Sequence, residues 1–258
     1  REQIASTGAE FMARKKGKGG GKRKRSQQRA QYDELDKYPV IPPHAFARIV
    51  RDKQTLNILY QIIEPPMTKK EQEQREEIMD IFIRSLTANI EEIDADPDAY
   101  LRTALDKVIK SYGMKINKKS KSKMFYYLRR DLIGYGKMDM MMHDINVEDI
   151  SLDGTNVPIF AYHRKFESVE TTCVWETDAE LESYVIKLAQ RCGKHISVAE
   201  PLLDATLMDG SRIVMKLGRE ISTRGSAFCI RRFKDDPFSP ADIVAFRTMS
   251  SLMAAYLW

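Results

Sequence analysis

With 258 residues, 43% of them hydrophobic and 31% charged, the chain reads as soluble and globular, with room for one large domain or two small ones. Its longest uninterrupted apolar run is the seven residues 252–258, against about 20 for a membrane span, and no apolar leader opens the sequence. The net charge of +5 is unevenly spread: residues 1–31 carry ten cations and two acids, the remaining 227 carry 32 cations and 35 acids. A slightly acidic body with a basic tail is the expected arrangement.

Within the tail, residues 13–30 (ARKKGKGGGKRKRSQQRA) contain no aromatic, no β-branched residue and no acid. Such a segment cannot bury enough apolar surface to offset its ordering entropy, so 1–31 is expected to be disordered. Two apolar stretches, 45–50 and 56–63, flank RDKQT and predict a hairpin closed by Glu64-Pro65-Pro66. A helical block follows. Thr68 and Glu71 have capping-box spacing, and Ile78, Ile81, Phe82, Leu86, Ile90 and Ile93 continue one helical face. Asp96 with Pro97 opens a second helix that stops at Gly113. A lysine-rich loop, 115–123, leads to a third helix with Phe125, Leu128 and Leu132, ended by Gly134 and Gly136.

From about residue 147 the pattern switches to strands, at 147–152, 157–163 and 169–175. Thr177 and Glu180 cap a helix bearing Leu181, Tyr184, Val185, Leu188 and Cys192. Further strands are predicted at 204–208, 212–217 and 226–233, the first two joined as a two-residue hairpin at Asp209-Gly210. Ser239, Pro240 and Asp242 start a last helix, and the sequence stops within its apolar run. The expected fold is α+β: a basic tail over 1–31, a mainly helical subdomain over 32–136, an α+β subdomain of sheet plus helix over 137–236, and a linker helix over 237–258.

Cys173, Cys192 and Cys229 are widely spaced, lack metal-ligand spacing and lie in apolar contexts, which predicts buried free thiols. His44, His143, His163 and His195 are far apart, and structural or surface roles are favoured over ligation or catalysis. Glu148 and Asp149 occupy adjacent strand positions facing opposite ways, which argues against an acid/base pair. Met138 to Met142 read as a core or interface plug.

The sequence contains no GxxxxGK[ST], GxSxG, HExxH or GxGxxG. GKGGGKRKR at 17–25 has no strand before it and no apolar helix after it, so it is not a phosphate loop. The positive feature is cationic. Arg212, Lys216, Arg219, Arg224, Arg231 and Arg232 stand against one acid, Glu220, across 21 residues. Alternation places Arg212, Val214 and Lys216 on one side of a strand, with Ile213, Met215 and Leu217 on the other. In the next strand Arg232 shares a side with Phe228 and Ile230, and Arg231 with Cys229. Clustered cations suit a phosphate, which arginine grips with two donors. Spacing alone favours a solvated strand face with scattered ion pairs.

Five phrases then occur in fixed order: RRDLIGYGKMDMMMHDINVEDISLDG, IFAYHRKF, KLAQRCGKHISVAEPLLDATLMDGSRI, RGSAFCIRRF and MAAYLW. Over about residues 36–258 the chain resembles the N-terminal region of archaeal type II/IV secretion-system ATPases. These are the pilus and archaellum motors, related to bacterial type II secretion and pilus ATPases. The resemblance implies a cytoplasmic homo-hexamer, peripheral at the inner face of the membrane and working on a polytopic platform protein. It implies ATP and magnesium held with a RecA-like P-loop domain, which would begin around residues 256–258. It also implies arginines that reach the phosphates. Arg212, Arg231 and Arg224 stand at the matching positions, with Arg232 beside Arg231. The complete protein would hydrolyse ATP, and the present residues alone would not, because the P-loop, the acidic metal-binding box and the histidine box are absent from them.

Two other readings stay open. The basic tail could bind nucleic acid non-specifically, although it has no aromatic to stack bases and the body is net negative, which disfavours this. The body could instead be an α+β scaffold or sensor module. Anionic lipid is a further partner expected for the tail.

Overall fold

The computed structural model describes residues 31–85, 96–233 and 238–257. Residues 1–30 of the basic tail and the predicted continuation of the first helix through Leu86, Ile90 and Ile93 lie outside them. The fold is α+β. Nine strands form one sheet: β1 (Tyr32–Ile41), β2 (Ala45–Asp52), β3 (Ile58–Ile63), β4 (Val147–Leu152), β5 (Pro158–His163), β6 (Glu167–Val174), β7 (Leu202–Thr206), β8 (Arg212–Lys216) and β9 (Ala227–Arg231). Their spatial order is β1-β2-β3-β6-β5-β4-β9-β8-β7. Neighbours run antiparallel except β3 and β6, which are parallel through Leu59↔Glu170 and Tyr60↔Thr171.

The 45–63 hairpin forms as β2 and β3, in register from Phe46↔Ile63 to Arg51↔Ile58. Strand β1, which the sequence pattern does not reveal, pairs outside β2. Its register shifts between Glu34 and Asp36 and again between Pro39 and Ile41. Each bulge resets the period of two, so the apolar residues Leu35, Tyr38, Val40 and Ile41 show no alternation. Pro39 is tolerated because β1 is an edge strand.

Between β3 and β4 the chain leaves the sheet as three helices, α1 (Lys69–Ser85), α2 (Pro97–Ser111) and α3 (Lys118–Leu128). Their starts follow local chemistry. Thr68 and Glu71 exchange capping bonds, Asp96 accepts from the Ala99 amide, and Asn117 from the Ser120 amide. Ile78, Phe82, Leu101, Leu105, Met124 and Leu128 form a small core of their own, separate from that of the sheet. After α3 a wide helical turn, Arg129–Ile133, ends at Gly134. A Cβ there would lie 2.2 Å from Asp139 Oδ1, so only glycine fits.

The methionines of 138–142 do plug the main core: Met138, Met140, Met141 and Met142 are buried around the short helix α4 (Asp139–His143). Helix α5 (Asp178–Arg191), capped by Thr177 as predicted, adds Leu181, Val185, Leu188 and Ala189 to it. The α6 (Pro240–Ala245) and α7 (Ser251–Leu257) segments bury no residue. The β7–β8 turn is wider than the predicted two residues. Leu207 donates to the Ser211 carbonyl at 2.8 Å around Met208-Asp209-Gly210, and Gly210 takes φ +83°. A left-handed glycine at the last place of a three-residue turn is a recurring hairpin solution.

Candidate functional site

Strand β8 alternates strictly, and β9 does so from Phe228 onward, Ala227 being buried as well. Ile213 and Met215 of β8 and Phe228 and Ile230 of β9 are buried, while Arg212, Val214, Lys216, Cys229 and Arg231 stand on the open face. The register sets Arg212 directly opposite Arg231, and Val214 opposite Cys229. The row continues outward to Thr206 on β7 and to Asp149 on β4. Two guanidinium-bearing strand positions are therefore nearest neighbours, an arrangement that repels unless something negative lies between or beside them.

Both side chains are open to solvent, at 73% for Arg212 and 79% for Arg231. Each has one acid nearby. Arg212 Nη2 lies 3.6 Å from Asp204 Oδ2, and Arg231 Nε donates to Asp149 Oδ1 at 3.1 Å. The hydrogen bond and charge of Asp149 hold the Arg231 guanidinium even more firmly protonated than usual. Exposed pairs of this kind contribute little to stability. The remaining N–H donors of two forks can accept a polyoxygen anion such as a phosphate. Asp204 was not singled out in the sequence, and Asp149 was weighed only with Glu148, since the partner of a strand acid gives no signal until register is known.

The other candidate arginines lie elsewhere. Arg224 precedes β9 at the opposite end of the β8–β9 pair from Arg212, where its carbonyl accepts from Thr155 at 2.9 Å. It is held there by Gly154, whose φ is +132° and whose absent side chain leaves room for the Arg224 carbonyl. Arg219, at that same end, donates to Asp178 Oδ2 at 2.7 Å. Arg219 first, and then Thr155, hold the Asp178 carboxyl below the usual carboxylate range.

Arg232 departs further from expectation. It falls on the core side with Phe228 and Ile230, as alternation predicts, but there it donates to the carbonyls of Asp144 and Val147. It fastens the entry to β4 and does not share the face of Arg212 and Arg231. The cysteines also divide. Cys173 is buried, Cys192 half-buried and Cys229 exposed, all three free. Cys229 alternates outward because Phe228 and Ile230 take the inner positions.

His163, expected to be structural or on the surface, is structural and buried. Its Nε2 lies 3.0 Å from Tyr38 Oη, and its Nδ1 accepts from the Lys165 amide at 3.1 Å. Among the described residues no group of three or more His, Cys, Asp or Glu could hold a metal ion, and no helix is long and apolar enough to cross a membrane.

No family model matches the chain. Its similarity is to archaeal proteins. Uncharacterized protein MJ1288 of Methanocaldococcus jannaschii is 40% identical over 164 residues, 63% of this chain and 65% of that protein. Uncharacterized protein MJ0900 of the same organism is 32% identical over 226 residues, 86% of this chain and 40% of that protein. The chain thus spans less than two thirds of the length of each. Among solved structures, the VirB11 ATPase of the Brucella suis type IV secretion system, in complex with sulphate, matches 50% of this chain and 35% of its own at 15% identity, with a TM-score of 0.38.

Proposed function

We propose that this chain is the N-terminal part of a hexameric secretion-type ATPase and that Arg212 and Arg231 are its contribution to the nucleotide cleft. The observation that carries the reading is the register of β8 and β9, which sets these two arginines side by side on an open face. The ordered phrases between residues 129 and 233 supply the family context. In this reading ATP and magnesium are held by a P-loop domain outside the present residues, and the sheet face meets the phosphates from the other side of a cleft. The arginines' role is to meet charge on the transferring phosphoryl group with fixed forks, which requires neither a proton nor a metal from this chain. Arg224 and Arg232 have no part in it, the first being at the far end of the strands and the second turned to the core. A pilus, archaellum or secretion platform in the membrane is the partner this reading implies.

The test is turnover in the assembled full-length protein with Arg212→Ala and Arg231→Ala. A tenfold or larger loss with nucleotide still bound supports it. Parental turnover in both variants makes the two arginines members of surface ion pairs with Asp204 and Asp149, as a scaffold module would have.

A further inference from the structure

A second cationic feature stands at one pole of the three-helix unit, away from the β8–β9 face. Helices α1 and α3 start side by side. Ser120 of α3 donates to Glu71 of α1 at 2.6 Å, and Lys123 Nζ donates to the Pro66 carbonyl just before α1 at 2.8 Å. The last turns of α2 reach the same pole, because Lys121 of α3 pairs with Asp106 of α2 and only residues 112–117 join the two helices. The pole therefore gathers Lys69 and Lys70 from α1, Lys107 and Lys110 from α2, Lys115 from the loop, and Lys118 and Lys119 from α3. All seven are exposed, and among the described residues none of them forms an ion pair. Two acids of the pole are already engaged, Asp106 by Lys121 and Glu71 by Ser120, Thr68 and Lys123, which leaves exposed Glu73 of α1 against the seven lysines. The positive ends of two helices, of 17 and 11 residues, outnumber the one negative end there, that of the 15-residue α2.

We propose that this pole docks on an anionic phospholipid surface. Three properties select that occupant. Every cation of the pole is lysine, a hydrated point charge on a long stem that suits a diffuse layer of headgroups, whereas base and backbone readout favours the planar arginine fork. The surface is made of helix ends and a loop, and it exposes one aromatic, Tyr112, where a strand binder stacks base after base. Tyr112 also lies beside the half-buried Met114 and Ile116. An amphipathic ring ringed by lysines is the composition found at a membrane–water boundary. The proposal stands on the lysine geometry and is independent of Arg212 and Arg231.

The test uses the full chain with tail cations Lys15, Lys16, Lys22, Arg23, Lys24 and Arg25 replaced by glutamine, so that the tail does not mask the pole. Sedimentation with phosphatidylcholine vesicles, with and without phosphatidylglycerol, reads the partition coefficient. Binding is expected only with phosphatidylglycerol, falling with added salt. Lys115→Gln/Lys118→Gln/Lys119→Gln should lower it at least about tenfold, since each lysine near an anionic leaflet contributes on the order of 1 kcal/mol. The control Lys53→Gln/Lys165→Gln/Lys216→Gln, which removes the same charge elsewhere, should leave it unchanged. Equal loss in the control, no loss in the pole variant, or tighter binding to duplex DNA than to the vesicles would overturn the proposal. Thermal melts of each variant check the fold, and ATP turnover of the assembled protein reports the arginine site separately.

Discussion

The hydroxyl of Tyr60 and the carboxylate of Asp144, 84 residues apart in the chain, meet at 2.7 Å in the buried centre of the sheet. Tyr38 of the edge strand donates to the same Oδ2, also at 2.7 Å, while Oδ1 accepts from the Asn146 amide at 2.9 Å. One carboxylate thereby ties β1, β3 and the entry to β4. Burial and the Asp144 charge push the Tyr60 phenol far above its ordinary value, so it stays a donor at all working pH.

Removing one donor should cost about 1.5–3 kcal/mol, the range for hydrogen bonds to charged groups. Tyr60→Phe is therefore expected to lower the urea midpoint without changing the slope. Asp144→Ala should cost more, because it strands two hydroxyls at once, buried Tyr60 and half-buried Tyr38. Equal midpoints for Asp144→Ala and Tyr60→Phe would show that the phenols find other partners.

The same network makes stability depend on pH through His163. The Lys165 amide can only donate, so Nδ1 is the acceptor and the proton sits on Nε2, aimed at Tyr38 Oη. Burial lowers the pKa of His163, against the opposing pull of Asp144 and Asp36, with Lys165 adding to the lowering. The folded state therefore binds the proton less readily than the unfolded chain. This contribution is complete above the unfolded value of about 6.5 and is lost as pH falls through it toward the depressed folded value. In denaturant titrations at pH 7.5 and pH 5, conditions chosen to bracket about 6.5, the parent should lose more stability on acidification than His163→Gln. Identical losses would show that His163 does not titrate on unfolding.

The thiols should separate by reactivity. Cys229 is exposed, whereas Cys173 is buried and pushed up to about 12 by desolvation. An alkylating reagent under native conditions should label Cys229 and spare Cys173 until the protein unfolds, as peptide mapping would show. Native labelling of Cys173 at the rate of Cys229 would contradict its burial beneath the sheet.

Much of this was legible where the pattern was strict. RIVMK alternates without interruption and AFCIR does so from Phe228 onward, so the face of each side chain from 212 to 216 and from 228 to 231 followed from a period of two. The caps at Thr68, Asp96 and Thr177 were legible for the same reason, being local chemistry. What was hidden depended on partners. Strand β1 has two bulges, and no single phase describes it. Arg232 was assigned to the correct face, but its bonds to the Asp144 and Val147 carbonyls were not foreseen, because backbone acceptors leave no mark in a sequence. Cys229 was expected to be buried from its apolar neighbours, when those neighbours are what turn it outward. The Asp144 network joins residues 38, 60, 144 and 163, and no local window contains more than two of them.

Arg212 and Arg231 carry the last prediction. Their strands hold them as nearest neighbours, and each leans on one acid of the next strand out, Asp204 or Asp149. If the pair serves an anion, the acids tune it, and removing one should strengthen binding of a polyphosphate while removing an arginine weakens it. Asp149→Asn is expected to raise the affinity of the chain for tripolyphosphate about threefold to tenfold, since it frees donors held in a weak, exposed ion pair. Arg231→Ala should lower the affinity at least as much, and Arg231→Lys should rescue poorly because lysine lacks the planar fork. Arg224→Ala, at the far end of β9, should change nothing. Isothermal titration at low and moderate salt would resolve these differences, all of which shrink as salt screens the site. Should Asp149→Asn and Arg231→Ala leave the affinity where it is in the parent, the two arginines are held for their ion pairs alone and the cleft reading loses its chief support.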